Sequence, residues 1–343
     1  MHRLLSLVRY LRSEVFVLPS RLIAFLFVAA LLVFPLFTQD SYLLRILILT
    51  AIFAIYATSW DLLAGYAGQV SLGHALFFGF GAYTSALLNF RLDLPPFLAI
   101  PLGAVGATLT GLVVGVPCLR LRKHYLALAT LAFPLMLTGL VFMLPGLTGG
   151  ELGITRIERL ATTRVQEYYV AIGAFLASLL VLWRITSSRV GLIFHAIRED
   201  EVATRALGIN TTRYKLLAFT LSGFVAGIAG ALYAHFMRIA GPSNLDLLMS
   251  FQPVIWTIFG GAATIYGPVT GVFLLFPALE YLRAIPQYRM LVFALMVLLI
   301  LRFMPGGLAT WVREKLEKDC PHCRIKNAFT RRTCRACRTQ FAG

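Results

Sequence analysis

Residues 60–89 read WDLLAGYAGQVSLGHALFFGFGAYTSALLN, an apolar stretch long enough to cross a lipid bilayer. Polar side chains interrupt it at Asp61, Gln69, Ser71 and His74, and it also contains five glycines. Lipid neither hydrogen-bonds a backbone nor solvates a carboxylate, so this stretch is expected to face protein or water. Polar groups at membrane depth are costly and usually mark a functional path, whereas the glycines alone are also typical of close helix packing. We therefore take Gln69, Ser71 and His74 as candidates for lining a path through the membrane, and Asp61 as an orienting group near the interface.

The composition of the rest of the chain is that of a membrane protein. Of its 343 residues, 59% are hydrophobic and only 13% are charged, and the mean hydropathy is +0.79. Soluble domains of this size are less apolar. The net charge of +16 does not favour nucleic-acid binding, because most basic residues lie in short segments between apolar runs, where they set membrane topology.

The fold class predicted from these apolar runs is an all-α polytopic membrane protein with about ten transmembrane helices, or eight at the fewest. The runs near 251–265 and 267–284 are short, and a re-entrant hairpin is the alternative for this pair. The ten runs are 21–38, 41–60, 69–90, 97–117, 125–144, 168–186, 214–237, 251–265, 267–284 and 288–304.

The distribution of positive charge predicts that both termini are cytoplasmic. With ten spans starting inside, 23 of the 31 Lys and Arg residues fall in the segments on the cytoplasmic side. Residues 1–20 lack a clear signal-peptide core and a cleavage site, so they are interpreted as a retained cytoplasmic lead-in. The predicted domains are this lead-in, a transmembrane domain over 21–310 and a small tail over 318–343.

The longest predicted cytoplasmic loop, residues 184–215, includes the segment 187–213, which contains a candidate helix over 194–206, FHAIREDEVATRA. Gly208 is a plausible C-cap, and residues 210–212 are typical of the N-cap region of the next span. The three acids Glu199, Asp200 and Glu201 argue against a helix that lies on anionic headgroups, because such surfaces attract basic faces. We expect this helix to contact a soluble partner.

The tail carries four cysteines in two CxxC pairs, Cys320 with Cys323 and Cys334 with Cys337. Each pair presents two thiolates to one point, and two pairs complete a tetrahedral site. The sequence therefore predicts a structural zinc ion in a zinc-ribbon-like tail. His322 lies inside the first pair and is expected to be a bystander, because four cysteines already fill the site.

The sequence contains no G-x-x-x-x-G-K-[ST] phosphate-binding loop, no H-E-x-x-H and no G-x-S-x-G. We therefore expect no enzymatic activity and no nucleotide bound by this chain. Ion-coupled carriers usually need a chain of acidic groups at membrane depth, and only Asp61 lies well within an apolar run. A carrier that works alone remains the alternative of a different class.

Two long strings carry a family resemblance. DLLAGYAGQVSLGHALFFGFGAYTSALL and AIREDEVATRALGINTTRYKLLAFTLSGFVAGIAGALYAH resemble the permeases of branched-chain amino acid ABC transporters. TGGELGI, in the predicted outside loop, is similar to a string of the larger of their two permease subunits. The resemblance covers residues 21 to 310.

The resemblance implies an ABC importer permease for leucine, isoleucine and valine in a bacterial or archaeal plasma (inner) membrane. A second, homologous permease would complete the path, two cytoplasmic P-loop ATPases would drive it, and an extracytoplasmic binding protein would deliver the substrate. Urea or short amides are the alternative substrates within the family. Residues 194–208 would form the coupling helix, and Glu199, Asp200, Glu201, Ala203 and Gly208 are the candidate coupling residues, although the importer loop pattern is matched only loosely. The cysteine tail has no counterpart in the resemblance.

Overall fold

The structure is a computed structural model, and it describes residues 19–118, 123–284, 286–304, 306–320, 322–323, 326–329, 334, 337 and 340. The predicted lead-in, apart from residues 19 and 20, lies outside the described residues, as does much of the tail.

Each of the ten predicted apolar runs corresponds to a helix in this described part of the chain, and the all-α membrane fold is confirmed. A single α-helical turn, Pro145–Thr148, lies between the fifth and sixth of these helices. Two short helices lie between the sixth and seventh, and another short helix follows the last. The helices are α1 Pro19–Phe37, α2 Ser41–Asp61, α3 Ala75–Leu92, α4 Pro96–Cys118, α5 Lys123–Met143, α6 Arg164–Thr186, α7 Arg189–Glu199, α8 Glu201–Ala206, α9 Thr211–Met237, α10 Leu247–Gly260, α11 Tyr266–Tyr281, α12 Pro286–Phe303 and α13 Leu308–Leu316.

Five helical segments within the described ranges are long and apolar enough to cross a membrane. They are Ser41–Tyr66, Pro96–Cys118, Tyr125–Met143, Arg164–Thr186 and Thr211–Met237. The other predicted spans are shorter or less apolar as helices.

The chain divides into two compact units, and the larger one comprises Asp40–Gly307. Its centre is α2, which is buried along almost its whole length and contacts α6, α9, α10 and α11. Single hydroxyl groups join α2 to its neighbours. The Tyr56 hydroxyl donates to the Met249 carbonyl at 3.1 Å, and the Ser222 hydroxyl of α9 donates to the Ser59 carbonyl at 2.7 Å.

Helices α3, α4 and α9 pack against one another through small residues. A Cβ added to Gly81 would lie only 2.6 Å from Cα of Gly227, so the backbones of α3 and α9 touch directly. Such packing is typical of membrane helices, which associate by close van der Waals contact rather than by the hydrophobic effect.

Helices α10 and α11 form a helical hairpin joined at residues 261–265. At 14 and 16 residues they are about 21 and 24 Å long, less than the roughly 30 Å of a hydrocarbon core. The re-entrant alternative for this pair stays a prediction.

The segment between α5 and α6, predicted to lie outside, is tied to the ends of α3 and α9. Strand β1, Ile154–Thr155, pairs antiparallel with β2, Ile239–Ala240. The His235 ring bonds the Ser85 hydroxyl through Nε2 at 2.9 Å and the Glu158 carbonyl through Nδ1 at 2.9 Å. This buried Ser–His pair connects two helices to the loop.

The smaller unit comprises Met1–Gln39 together with Leu308–Gly343. Within it, α13 contacts α1, and β3, Glu317–Asp319, pairs antiparallel with β4, Lys326–Ala328. The Phe329 amide, directly after β4, donates to the carbonyl of Leu316, the last residue of α13, at 2.9 Å.

Candidate functional site

The predicted path residues lie in a break between α2 and α3. Helix α2 ends in a π turn, Leu62–Tyr66, and regular α-helix resumes only at Ala75. The Ala67 amide still donates to the Leu62 carbonyl at 3.2 Å, as a π turn requires, and Gly68 then takes a positive φ of 67°. The apolar run 69–90 therefore begins with a non-helical segment, and its helix covers only the part from Ala75. Non-helical backbone at membrane depth is tolerated only inside protein or beside water.

Gln69 and Ser71 are both buried in this break. The Gln69 amide nitrogen donates locally to the Ala67 carbonyl at 3.1 Å, and the Trp60 indole donates to the Ser71 carbonyl at 2.7 Å. The Ser71 hydroxyl has no partner among the described residues. Trp60 therefore fixes the backbone at Ser71 while the hydroxyl itself stays available.

His74 ends the break and is completely buried. Its Nε2 bonds the Ser59 hydroxyl at 2.8 Å, and its ring lies 5.3 Å from that of Tyr56 and 5.4 Å from that of Phe77, centroid to centroid. Nδ1 has no partner in the described part of the chain. Buried polar atoms are nearly always bonded, so each exception requires an explanation.

Two other helices hold the break in place. The Leu72 amide donates to the Thr130 hydroxyl of α5 at 3.1 Å, and the Ala75 amide donates to the Ser250 hydroxyl of α10 at 3.2 Å. Sequence reasoning did not identify Ser59, Thr130 or Ser250, because a single hydroxyl in an apolar run carries no signal of its distant partner.

Asp61, expected to be an orienting group near the membrane interface, is buried within the protein at 1% exposure. Its Oδ1 accepts a hydrogen bond of 2.7 Å from the Ala263 amide, in the turn between α10 and α11. Asp61 thus joins the end of α2 to the tip of the hairpin.

The loop between α6 and α9 differs from the expected single helix over 194–206. It forms α7 and α8, which meet at Asp200 in an extended conformation. The Asp200 carboxylate accepts from the amides of Val202 and Ala203 at 2.8 and 3.0 Å. The prediction was wrong because an aspartate that caps a new helix is more stable there than in a helix interior.

The three acids of this loop differ in their surroundings. Glu201 bonds Lys215 and also Arg205, the latter at 2.9 Å, so it ties α8 to α9. Burial raises the pKa of the Glu201 carboxyl, but the Lys215 hydrogen bond and the charges of Lys215 and Arg205 outweigh it and hold this pKa below its usual range. Glu199 is exposed, and Asp200 is the cap.

Three large apolar side chains are exposed on α7, on α8 and directly after α8. Leu192, Val202 and Leu207 are 70, 79 and 81% exposed. Ala203 is also exposed, and Gly208 ends α8 with a φ of 82°. Large exposed apolar residues rimmed by charge are typical of a protein-binding surface.

The four tail cysteines lie together. Their Sγ atoms all lie within 4.8 Å of one another, and the pairs Cys320–Cys337 and Cys323–Cys334 are each 3.5 Å apart. Four ligands about 2.3 Å from a tetrahedral zinc ion would be about 3.8 Å apart, so this cluster could hold a metal ion. The Asn327 amide nitrogen approaches the Cys334 sulfur at 3.6 Å and would orient that ligand. His322 is exposed.

Comparison with known proteins gives consistent similarities over most of the chain. Residues 42–301 match the sequence model of a family described as "Branched-chain amino acid transport system / permease component". The high-affinity branched-chain amino acid transport system permease protein LivM of Salmonella typhimurium is 30% identical over 90% of this chain and 81% of its own length. LivM of Escherichia coli is 30% identical over 85% of this chain and 76% of its own length. The permease protein LivH of Escherichia coli is 25% identical over 78% of this chain and 93% of its own length.

Proposed function

The chain belongs to the family of permease components of branched-chain amino acid transport systems, and we propose that it is the permease subunit of an ATP-driven importer of leucine, isoleucine and valine. The observation that carries the proposal is the similarity to LivM, which extends over 90% of the chain. LivM and LivH are distinct permease proteins, and this chain is similar to both. A second, homologous permease is therefore the partner with which it forms the path.

The remaining partners follow from the division of labour in such a system. This chain has no phosphate-binding loop in its sequence, so ATP hydrolysis belongs to two cytoplasmic P-loop ATPase subunits. An extracytoplasmic binding protein delivers the substrate. The location is a bacterial or archaeal plasma (inner) membrane, with the tail on the cytoplasmic side.

Alternating access is the mechanism we propose. Closure of the ATPases moves α7 and α8, and the two permeases rock about a central path. ATP shifts this equilibrium only through its different affinities for the two states. The exposed Leu192, Val202 and Leu207 support docking of an ATPase at this place, and the cap at Asp200 and the Glu201–Lys215 pair support a rigid connection to α9.

We propose that the break at residues 67–74 borders the substrate path. The buried Ser71 hydroxyl and His74 Nδ1, which have no partner in the described residues, support this role. In the outward or inward state they would gain a partner in water, in substrate or in the second permease. Gln69 has a bond within its own segment, so its part in the path is the least supported of the three.

For the tail we propose a structural zinc ion bound by Cys320, Cys323, Cys334 and Cys337. The clustering of the four sulfur atoms supports it. Binding would supply most of the folding free energy of so small a unit.

The function is tested by uptake in proteoliposomes that contain both permeases and both ATPases, with the binding protein added outside. ATP inside the vesicles should drive accumulation of labelled leucine, isoleucine and valine, and the binding protein should bind these three rather than urea or short amides. Accumulation driven by an ion gradient without any ATPase would refute the proposal.

A further inference from the structure

Helix α7 makes a direct polar contact with the π turn at the end of α2. The Arg198 guanidinium, one residue before the end of α7, donates through Nη1 to the Gly65 carbonyl at 2.7 Å. The contact joins residues 133 positions apart in the chain. A hydrogen bond from a charged donor is stronger than one between neutral groups.

Gly68 allows this approach. A Cβ on Gly68 would lie 3.0 Å from Arg198 Cα. The rings of Tyr66 and His195 also pack, with centroids 5.0 Å apart. Helix α7 therefore contacts the π turn at Gly65 and Tyr66 and lies directly on the backbone at Gly68.

The Gly65 carbonyl is held away from its α-helical partner. In an α-helix it would accept from the amide of Gln69, four residues on. The Gln69 amide instead donates to the Leu63 carbonyl at 3.0 Å, and Arg198 occupies the Gly65 carbonyl. Single π turns inside α-helices are rare and frequently occur at functional sites.

The same turn is joined to the α10–α11 hairpin. Asp61 Oδ1 accepts from the Ala263 amide, while Asp61 Oδ2 is buried without a partner among the described residues. A Cβ on Gly65, whose carbonyl bonds Arg198, would lie 2.7 Å from the same Ala263 amide. Arg198 thus lies where α7, the end of α2 and the hairpin tip converge.

We propose that Arg198 is a positioning residue that couples movement of α7 to the buried break at residues 67–74. While Arg198 holds the Gly65 carbonyl, the π turn is kept and the break starts at Ala67. When α7 moves away, the Gly65 carbonyl is free to accept the Gln69 amide, which extends α2 and shifts the segment that carries Ser71 and His74. The inference rests on the proposed function, because the force on α7 comes from the ATPase subunits.

The test compares substrate uptake with ATP hydrolysis in proteoliposomes that contain the whole complex. Arg198→Met keeps the apolar stem and removes the donor, so ATP hydrolysis should continue while amino acid accumulated per ATP falls about tenfold, the loss expected for one charge-assisted hydrogen bond. Arg198→Lys keeps one donor and the charge, and should give an intermediate ratio. Arg184→Met, at an exposed residue in the last turn of α6, is the matched control and should leave the ratio unchanged.

A wild-type ratio in an assembled Arg198→Met complex would overturn the proposal. If that variant does not assemble, the Arg198→Lys variant decides, because lysine fills similar space. A wild-type amount of amino acid accumulated per ATP in Arg198→Lys would show that the guanidinium is not needed. Failure of the proposed function itself is separate: the wild-type complex would then show no ATP-dependent uptake of branched-chain amino acids.

Discussion

Gly73 shows how little freedom individual residues have in the break. It lies between Leu72, whose amide bonds Thr130, and His74, whose ring bonds Ser59. A Cβ at Gly73 would lie only 1.8 Å from the Thr130 carbonyl oxygen. The helix α5 backbone therefore presses directly on this residue.

Gly73→Ala should destabilise the protein by about 1–3 kcal/mol or more, because backbone has to move to admit the methyl group. The thermal unfolding midpoint of the purified protein measures this. Gly139→Ala, on α5, is the control: its Cβ would meet nothing within 4 Å, so it should be neutral or stabilise by up to about 1 kcal/mol. Equal midpoints for the two variants would contradict the close approach.

His195 predicts a pH dependence at the contact between α7 and the π turn. Burial lowers the pKa of its imidazole below the usual range, and the charge of Arg198 lowers it further, against a smaller opposing effect of Glu199. The unfolded state then takes up the proton first as the pH falls, so stability should be lost below the ordinary histidine value of about 6.5.

Thermal unfolding at pH 7.5 and 5.5 measures this loss, and His195→Gln should show a smaller one. The Glu201 pKa is also lowered, but its stabilisation is lost at lower pH, as the carboxyl protonates below its usual range. If the His195→Gln variant lost as much thermal stability as the wild type between these two pH values, a group other than His195 would cause the pH dependence.

At the scale of helices, each of the ten apolar runs predicted a helix, including α10 and α11 with only 14 and 16 residues, because a long apolar run is hard to place in any other structure. Two interruptions could not be predicted in the same way. The break at 67–74 depends on hydroxyls of Thr130 and Ser250, which are distant in the chain. The division at Asp200 arises because this aspartate caps a new helix, and the local sequence does not show whether it caps a helix or lies inside one.

Asp200→Ala should loosen α8, because the amides of Val202 and Ala203 lose their acceptor. Loss of such a cap costs about 0.5–2 kcal/mol. Hydrogen exchange at these two amides should become faster. Glu199→Ala, at the exposed neighbour, is the control and should leave their exchange unchanged; equal acceleration in both variants would count against the cap.

The exposed apolar residues of the same loop predict an assembly defect. Leu207→Asp should reduce co-purification of the ATPase subunits, because a charge would then face an apolar contact that the proposed docking requires. Leu152→Asp, equally exposed in the loop predicted to lie outside, should leave co-purification intact. Retention of the ATPases by Leu207→Asp would place their docking surface elsewhere.

At the scale of the whole molecule, the compact unit Asp40–Gly307 and the family match over residues 42–301 have nearly the same limits. The tail cysteines lie in the other unit and outside the match. The path candidates, Asp61, Arg198 and the coupling helices all belong to the larger unit. We therefore expect that metal binding can be removed by mutation without loss of substrate transport.

Replacing Cys320, Cys323, Cys334 and Cys337 together by serine should abolish bound zinc, because serine is a poor ligand for this metal, while ATP-driven uptake persists. Metal analysis of the purified full chain should give one zinc per wild-type protein and none per variant, and limited proteolysis should cut the variant within the tail. The control is Cys118→Ser, which replaces the cysteine outside the cluster, and this variant should still bind one zinc ion in the tail. Loss of uptake together with zinc, in a variant whose ATPases still co-purify, would show instead that the metal-bound tail takes part in transport.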